Sequence, residues 1–122
     1  MYKLMILINA LSDPLAFEQG WPDFLTLAER MPGLRRETTS WPGKVLYGSL
    51  KVHMIHELYF DSQAALQQAM ESPVGRAAGQ LLQQLTGGEM ILLFAHHLED
   101  ELENILPYRE GSEGEPKDAG RR

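Results

Sequence analysis

Two short runs at opposite ends of the first hundred residues consist almost entirely of apolar side chains. The first is YKLMILIN at residues 2–9, and the second is EMILLFAH at residues 89–96. Neither run alternates apolar with polar positions, which is typical of strands that are covered on both faces. A chain of 122 residues has room for one domain of ordinary size. Few architectures of that size can cover both faces of two strands, so this feature limits the possible folds more than any other.

The segment after the first run has the spacing of a helix. Apolar residues recur at intervals of three and four from Phe17 to Met31, which predicts one apolar stripe. Pro22 interrupts this pattern, so we expect the helix to begin near residues 21–23 or to have a kinked start. Gly33 is the expected C-cap residue.

Helical spacing returns in the second half of the chain, in two stretches that together precede the last apolar run. Asp61 or Ser62 is the expected N-cap of the first stretch. Ser72 is a good N-cap for the second, because Pro73 then occupies the first helical position. The glycine pair that begins at Gly87 is expected to end it.

The remaining segments predict strands in the middle of the chain. Residues 35–40 form a polar strand, WPGK at 41–44 turns the chain, and residues 45–60 carry one or two strands with a possible break at 48–51. The resulting order is β-α-β-β-α-β, the ferredoxin-like α+β fold. Its sheet has helices on one face only, whereas the first and last strands are apolar on both. We therefore expect a second copy to pack sheet to sheet, which gives a homodimer of the dimeric α+β barrel type.

The charge distribution separates the domain from its C-terminal end. Residues 1–98 carry nine acidic and seven basic side chains, whereas residues 99–122 carry eight acidic and four basic ones. We predict a folded domain over 1–98, a short amphipathic helix over 99–107, and a disordered acidic tail over 108–122.

Composition excludes several classes of function. The chain contains no cysteine, so disulfides, thiolate catalysis and cysteine-bound metals are absent. The chain has no stripe of basic residues, so we expect no nucleic-acid partner. The apolar run at 4–8 is too short for a membrane span or a signal core. We expect a cytoplasmic protein without a membrane partner.

Three blocks of the sequence resemble the EthD family, named after a component of ethyl tert-butyl ether degradation. They are Phe17 with Trp21, MPGLRR at 31–36, and IHELYFDSQAALQQAMESPVG at 55–75. The resemblance covers roughly residues 2–97. It implies a homodimeric α+β barrel with a small cleft between sheet and helices, and an association with oxidative or dehydrating steps on small organic molecules.

The sequence departs from the patterns of such proteins at two positions. Many EthD-type sequences carry a histidine four residues after the helix-one tryptophan, where this chain has Leu25. Related polyketide cyclases of the same fold carry one shortly after the Ser-Pro break, where this chain has Gly75.

Adjacent polar residues in the segment IHELYFDS raise the main functional question. His56 and Glu57 must point to opposite faces of a strand. We predict that His56 is a catalytic acid or base, assisted by Tyr59 or Tyr47, because its ordinary pKa of about 6.5 suits proton transfer at neutral pH. A structural histidine within a packed layer is the alternative.

Glu57 is predicted to lie in the dimer interface. There it would pair with an arginine of the neighbouring strand, Arg36 or Arg35. A catalytic acid is the alternative interpretation of this carboxylate.

Four aromatic residues are candidates to line an apolar cleft for a small organic ligand, although core packing would explain them as well. They are Trp21, Phe24, Tyr47 and Phe60. No spacing typical of a metal site is present, and we predict no metal and no cofactor. Haem held by one histidine is the alternative, because relatives of this barrel bind it, but no local pattern marks an axial ligand.

Three functions are consistent with these residues. The first is an EthD-like homodimer that binds a small apolar or aromatic compound, in the oxidoreductase class that the family name suggests. The second is a cofactor-independent cyclase, isomerase or dehydratase with His56 as acid and base. The third is a non-catalytic ligand-binding module.

Overall fold

Four strands and three helices occur in residues 1–103, the part of the chain that the computed structural model describes. Their order is β1 (Tyr2–Asn9), α1 (Pro14–Ala28), β2 (Arg36–Ser40), β3 (Val52–Phe60), α2 (Gln63–Glu71), α3 (Pro73–Thr86) and β4 (Met90–His96). The range predicted for a short helix, 99–107, lies only partly within the described residues. The range predicted for the tail, 108–122, lies outside them.

The four strands form one antiparallel sheet in the order β2-β3-β1-β4. This is the predicted ferredoxin-like arrangement, with β1 and β3 in the centre. The register places Ile6 opposite His56, and Leu4 opposite Leu58. Side chains two residues apart share a face, so this register decides which polar groups meet.

The core lies between the helices and one face of the sheet. On β1 and β3, the even-numbered residues point into it, and the helices supply the opposing apolar side chains. Its largest fully buried members are Phe60, Ile6, Ile8, Leu58, Leu66 and His56. Within residues 1–103, no helix covers the other face of the sheet, termed here the open face. Its central positions include Met5 and Leu7 of β1, and both are only partly buried.

Helix α1 begins earlier than the sequence predicted. Asp13 is its N-cap and accepts a hydrogen bond from the backbone N–H of Ala16 at 3.2 Å, while Pro14 takes the first helical position. The expected start near residues 21–23 is therefore wrong, because Pro22 lies inside the helix. The predicted C-cap is also wrong: α1 ends at Ala28, and Gly33, at φ +82°, belongs to the turn that follows.

The caps of the second half are those predicted. Ser62 accepts from the N–H of Ala65 at 3.1 Å, and Ser72 accepts from the N–H of Gly75 at 3.1 Å. Gly87 ends α3 in the left-handed conformation at φ +62°, which glycine adopts without steric cost.

The least covered parts of the domain are β4 and the connection between β2 and β3. Large apolar side chains on both faces of β4 are exposed: Ile91, Leu92, Leu93 and Phe94. Of the one or two strands expected over 45–60, one is observed, and it begins at Val52, directly after the possible break at 48–51. Residues 41–51 therefore form a long connection. Among residues 1–103, no helix combines the length and the apolarity that crossing a membrane requires.

Candidate functional site

His56 lies on the helix-facing side of β3 and is buried, with 1% of its surface exposed. Helix α1 covers it with two aromatic rings. Trp21 meets the imidazole edge to face at 5.2 Å between centroids and 87° between planes, and Phe24 does so at 6.3 Å and 77°. Trp21 also packs on Phe17 and Phe24, at 5.1 Å and 4.9 Å. An apolar layer therefore separates His56 from solvent on the helix side.

Strand β2 supplies both hydrogen-bonding partners of the imidazole. Thr39 stands directly opposite His56 in the β2–β3 register, and Glu37 is two residues away on the same face. Nδ1 of His56 lies 2.8 Å from Thr39 Oγ1, and Nε2 lies 3.0 Å from Glu37 Oε1. Both ring nitrogens are thus satisfied, as burial of a polar group requires.

Burial shifts the pKa values of Glu37 and His56 in opposite directions. It raises the pKa of Glu37 to about 7, and the neighbouring carboxyl of Glu29 adds to this rise. It lowers the pKa of His56 to about 4, although the carboxyls of Glu29 and Glu57 oppose that effect. Near neutral pH the imidazole is therefore uncharged, while the carboxyl of Glu37 is present in both protonation states.

The hydrogen bonds fit either protonation state of Glu37. When its carboxyl is protonated, it donates to Nε2, and the Nδ1–H of His56 donates to Thr39 Oγ1. When the carboxyl is ionised, Nε2–H donates to Glu37, and Nδ1 accepts from the hydroxyl of Thr39. A threonine hydroxyl can rotate to do either. The group can exchange one proton with its surroundings and leave no buried atom unpaired.

Exposure distinguishes the roles of the two residues. The side chain of Glu37 is 27% exposed, whereas that of His56 is 1% exposed. A ligand can therefore reach the carboxyl but not the imidazole. Of these residues, His56 was predicted from the sequence, whereas Glu37, Thr39 and Glu29 were not. The alternating positions 37 and 39 of the polar strand were a signal that these two share a face, but only the register brings them to His56.

Glu57 and Tyr59 lie on the open face, across the sheet from His56. Glu57 forms an ion pair with Lys3 of β1 at 2.5 Å and accepts from the hydroxyl of Tyr59 at 3.0 Å. Burial would raise the pKa of Glu57, but these hydrogen bonds outweigh it and hold the pKa below its ordinary value. Within residues 1–103, Glu57 pairs with Lys3 rather than with the expected arginine, since Arg36 binds Glu99 and Arg35 lies near Asp61.

Arg36 is engaged elsewhere on the same face. Its guanidinium stacks 4.3 Å from the ring centre of Tyr59 and binds Glu99 at 2.7 Å. Glu99 also contacts His97 Nε2 at 2.8 Å. The hydrogen bonds from Arg36 and His97 hold the pKa of Glu99 at about 2. Tyr59 is buried in this network and cannot assist His56 on the other face.

The predicted ligand-binding residues separate into three places. Trp21 and Phe24 cover His56 as described. Phe60 is fully buried in the core, and Tyr47 is 99% exposed in the connection between β2 and β3. Neither is placed with His56.

A small cavity of about 180 Å³ lies near the start of α1. Its lining residues are Ala10, Leu11, Pro14, Phe17, Glu18 and His53, and they do not include Glu37 or His56. Within residues 1–103, no group of three or more His, Asp or Glu side chains is placed to hold a metal ion.

Comparisons with known proteins agree with this architecture. No family model matches the chain. A protein of Rhodococcus erythropolis, described as an uncharacterized 11.0 kDa protein in the thcB–thcC intergenic region, is 28% identical over 108 residues, which cover 88% of this chain and all of that protein.

Two solved structures show the same fold. The crystal structure of an EthD family protein from Bacillus halodurans C-125 has a TM-score of 0.73 and 27% identity, covering 80% of this chain and 99% of that one. A dimeric ferredoxin-like protein of unknown function from Jannaschia sp. CCS1 has a TM-score of 0.59 and 17% identity, covering 79% of this chain and 97% of that one. The predicted resemblance to the EthD family is confirmed.

Proposed function

We propose that this EthD-like chain is a homodimeric protein that binds a small apolar or aromatic compound beside Glu37 and transfers a proton to or from it. One observation carries the proposal: a partly exposed carboxyl, Glu37, is hydrogen-bonded to a fully buried imidazole that can change tautomer with it. In this proposal Glu37 is the catalytic residue. His56, selected from the sequence as the acid or base, positions the carboxyl and stabilises both of its protonation states.

The pKa of the carboxyl suits this role. A general acid or base works best when its pKa lies near the working pH, and that of Glu37 is about 7. Ionised Glu37 would accept a proton from a carbon or oxygen of the ligand and return it to another atom of the same molecule. Such a step moves protons and no net electrons, so it fits an isomerase, cyclase or dehydratase better than an oxidoreductase.

The charges around the carboxyl limit the ligand. Glu29 lies close enough to raise the pKa of Glu37, and among residues 1–103 no basic side chain contributes to that pKa. An anionic ligand would be repelled by both carboxylates. A neutral compound with an apolar body fits, because Trp21 offers an aromatic surface next to the pair.

Dimerisation through the open face has separate support. Exposed apolar side chains on β4 and partly buried ones at the centre of the open face need a covering surface. The hydroxyl of Thr38 on the same face is buried and, among the described residues, finds no partner. Similar solved structures are described as dimeric.

Hydrogen–deuterium exchange tests the catalytic role without knowledge of the product. The protein is incubated in D₂O with a panel of small neutral carbonyl compounds, and deuterium uptake at carbon is followed by NMR. Wild type should speed exchange of at least one compound, and Glu37→Gln should lose about 100-fold or more of that rate. Glu71→Gln, an exposed carboxyl on α2, is the matched control and should keep it.

Two results would contradict the proposal. Equal rates for wild type and Glu37→Gln would remove Glu37 from the chemistry. Binding of panel compounds without any enhanced exchange would favour the non-catalytic ligand-binding module.

A further inference from the structure

The connection between β2 and β3 exposes an unusual number of apolar side chains. This segment, residues 41–51, is termed the β2–β3 loop. Its exposed apolar residues are Trp41, Val45, Leu46, Tyr47 and Leu50. It also carries Lys44 and Lys51 and no acidic residue, in a chain whose net charge is −6. A surface of this kind suits a partner that is both apolar and acidic.

The stretch that follows β4 has that character. Residues 98–103, termed the acidic segment, expose Leu98 and Leu102 and contain four acidic residues. Glu99 is already paired with Arg36. Within residues 1–103, neither Glu101 nor Glu103 forms an ion pair, and the same holds for the two lysines of the β2–β3 loop.

These two segments cannot meet within one subunit, because they lie at opposite ends of the sheet. The β2–β3 loop precedes Val52 at the start of β3, whereas β4 ends at His96 beside Tyr2, which pairs with Phe60 at the end of β3. The nine residues of β3 span roughly 30 Å. Each segment is therefore available to a second copy of the chain.

Face-to-face packing of two open faces allows two limiting directions of the two-fold axis. An axis along the strands would place the acidic segment of one subunit against the acidic segment of the other. The two β2–β3 loops would likewise lie against each other. Like charges would then meet at both ends, which is unfavourable. An axis across the strands places the acidic segment of one subunit beside the β2–β3 loop of the other.

The shape of the open face favours the second direction as well. Residues 97–99 lie over this face at one end, where His97 packs on Tyr59 at 4.8 Å and Glu99 reaches Arg36 on β2. Two such raised ends stacked on each other would hold the sheets apart. With the axis across the strands, the two raised ends lie at opposite ends of the dimer and do not stack on each other. The central apolar positions of the two open faces can then make contact.

We propose that the β2–β3 loop of each subunit packs against the acidic segment of the other, which gives two identical contacts at the ends of the dimer. Each residue pair then occurs twice, as a two-fold axis requires. The inference rests on the proposed open-face dimer. It adds the direction of packing and assigns a partner to the exposed loop.

Disulfide trapping tests this contact directly, because the chain has no cysteine of its own. Leu46→Cys and Leu102→Cys proteins are mixed, left to exchange subunits, oxidised with copper phenanthroline and run on a non-reducing gel. Each chain then holds one thiol, so every disulfide joins two chains. We expect the mixture to give a covalent dimer whose mixed disulfide is identified by peptide mass. Leu46→Cys mixed with Leu15→Cys, an exposed position on α1, is the control and should give little.

Sedimentation of the unmodified protein separates the possible failures. A monomer would overturn the proposed dimer and this contact together. A dimer without the mixed disulfide, or with efficient trapping in the Leu46→Cys protein alone, would overturn this contact and leave the dimer standing. Charge reversal gives a second measurement. Lys44→Glu with Lys51→Glu should raise the dimer dissociation constant about tenfold, and mixing with the Glu101→Lys, Glu103→Lys protein should restore association.

Discussion

Trp21 of α1 covers His56 of β3 edge to face, with 5.2 Å between the ring centroids and 87° between their planes. The contact closes the helix side of the imidazole and leaves Glu37 as the exposed member of the pair. The low polarity that Trp21 and Phe24 create is one cause of the shifted pKa values of both groups. Packing on one side of the histidine thus sets the chemistry available on the other.

Replacement of Glu37 should change the pH dependence of stability. The pKa of His56 is about 4 in the folded protein and 6.5 when unfolded. The unfolded chain therefore binds more protons between these values, and the contribution of His56 to stability rises with pH there. Glu37, with a pKa of about 7 against 4.5, makes a contribution that falls with rising pH from 4.5 to 7. In wild type the two oppose each other.

In Glu37→Gln the contribution of Glu37 is lost, and that of His56 is no longer opposed by it. The free energy of unfolding should then rise by up to about 3 kcal/mol from pH 4 to 6.5, while wild type varies much less. Urea denaturation at half-unit pH steps measures this. Parallel curves for the two proteins would show that the pair does not share its proton as described.

Replacement by valine should have different effects on stability at two neighbouring threonines, Thr39 and Thr38. Thr39→Val removes the partner of His56 Nδ1 and should cost about 1–3 kcal/mol of unfolding free energy, because a buried nitrogen is left unpaired. Thr38→Val removes a buried hydroxyl with no partner among the described residues and should be neutral or stabilising. Urea denaturation of both variants checks the pair, and equal losses would contradict the assignment.

Two glycines of α3 provide a test of the helix junction. A Cβ at Gly75 would overlap the carbonyl oxygen of Ala69, so Gly75→Ala should destabilise the domain by several kcal/mol. A Cβ at Gly79 would meet nothing within 4 Å, and Gly79→Ala should stabilise the helix by about 0.5–1 kcal/mol. Thermal and urea denaturation report both effects. Tolerance of Gly75→Ala would mean that α2 and α3 are not packed as closely as observed.

A charge on the open face should separate the proposed dimer. Leu93 of β4 lies opposite Met5 on this face and is exposed in the single subunit. Leu93→Lys should raise the dissociation constant at least tenfold, because a lysine would lose its hydration in an apolar interface. Leu15→Lys, an equivalent change on exposed α1, should leave it unchanged. Analytical ultracentrifugation measures the dissociation constant of each variant. An unaffected dimer in Leu93→Lys would show that the interface does not lie on this face.

Local sequence signals predicted much of the fold. The strand at 2–9, the N-caps Ser62 and Ser72 and the C-cap Gly87 are confirmed, because each depends on neighbouring residues alone. The start and end of α1 were wrong for the opposite reason. Pro22 sits on the exposed side of the helix, where the lost hydrogen bond is tolerated, and only the packing of the whole helix on the sheet decides that.

The candidate site was predictable only in part. His56 was found from one imidazole on an apolar strand face, which is a local pattern. Glu37 was missed because its importance comes from a partner 19 residues away. Tyr59 was placed with His56 although the two differ by three positions, and alternation along β3 puts them on opposite faces.

The sequence by itself determined the order of strands and helices and which neighbours along each element share a face, because backbone geometry gives side chains a period of 2 or 3.6. It also determined that the first and last strands carry apolar residues on both faces, whereas the helices of a ferredoxin-like fold cover only one. Tertiary structure alone decided that His56 faces α1 and that Glu37 and Thr39 are its partners. These outcomes depend on strand register and helix placement, which arise from contacts between residues far apart in the chain.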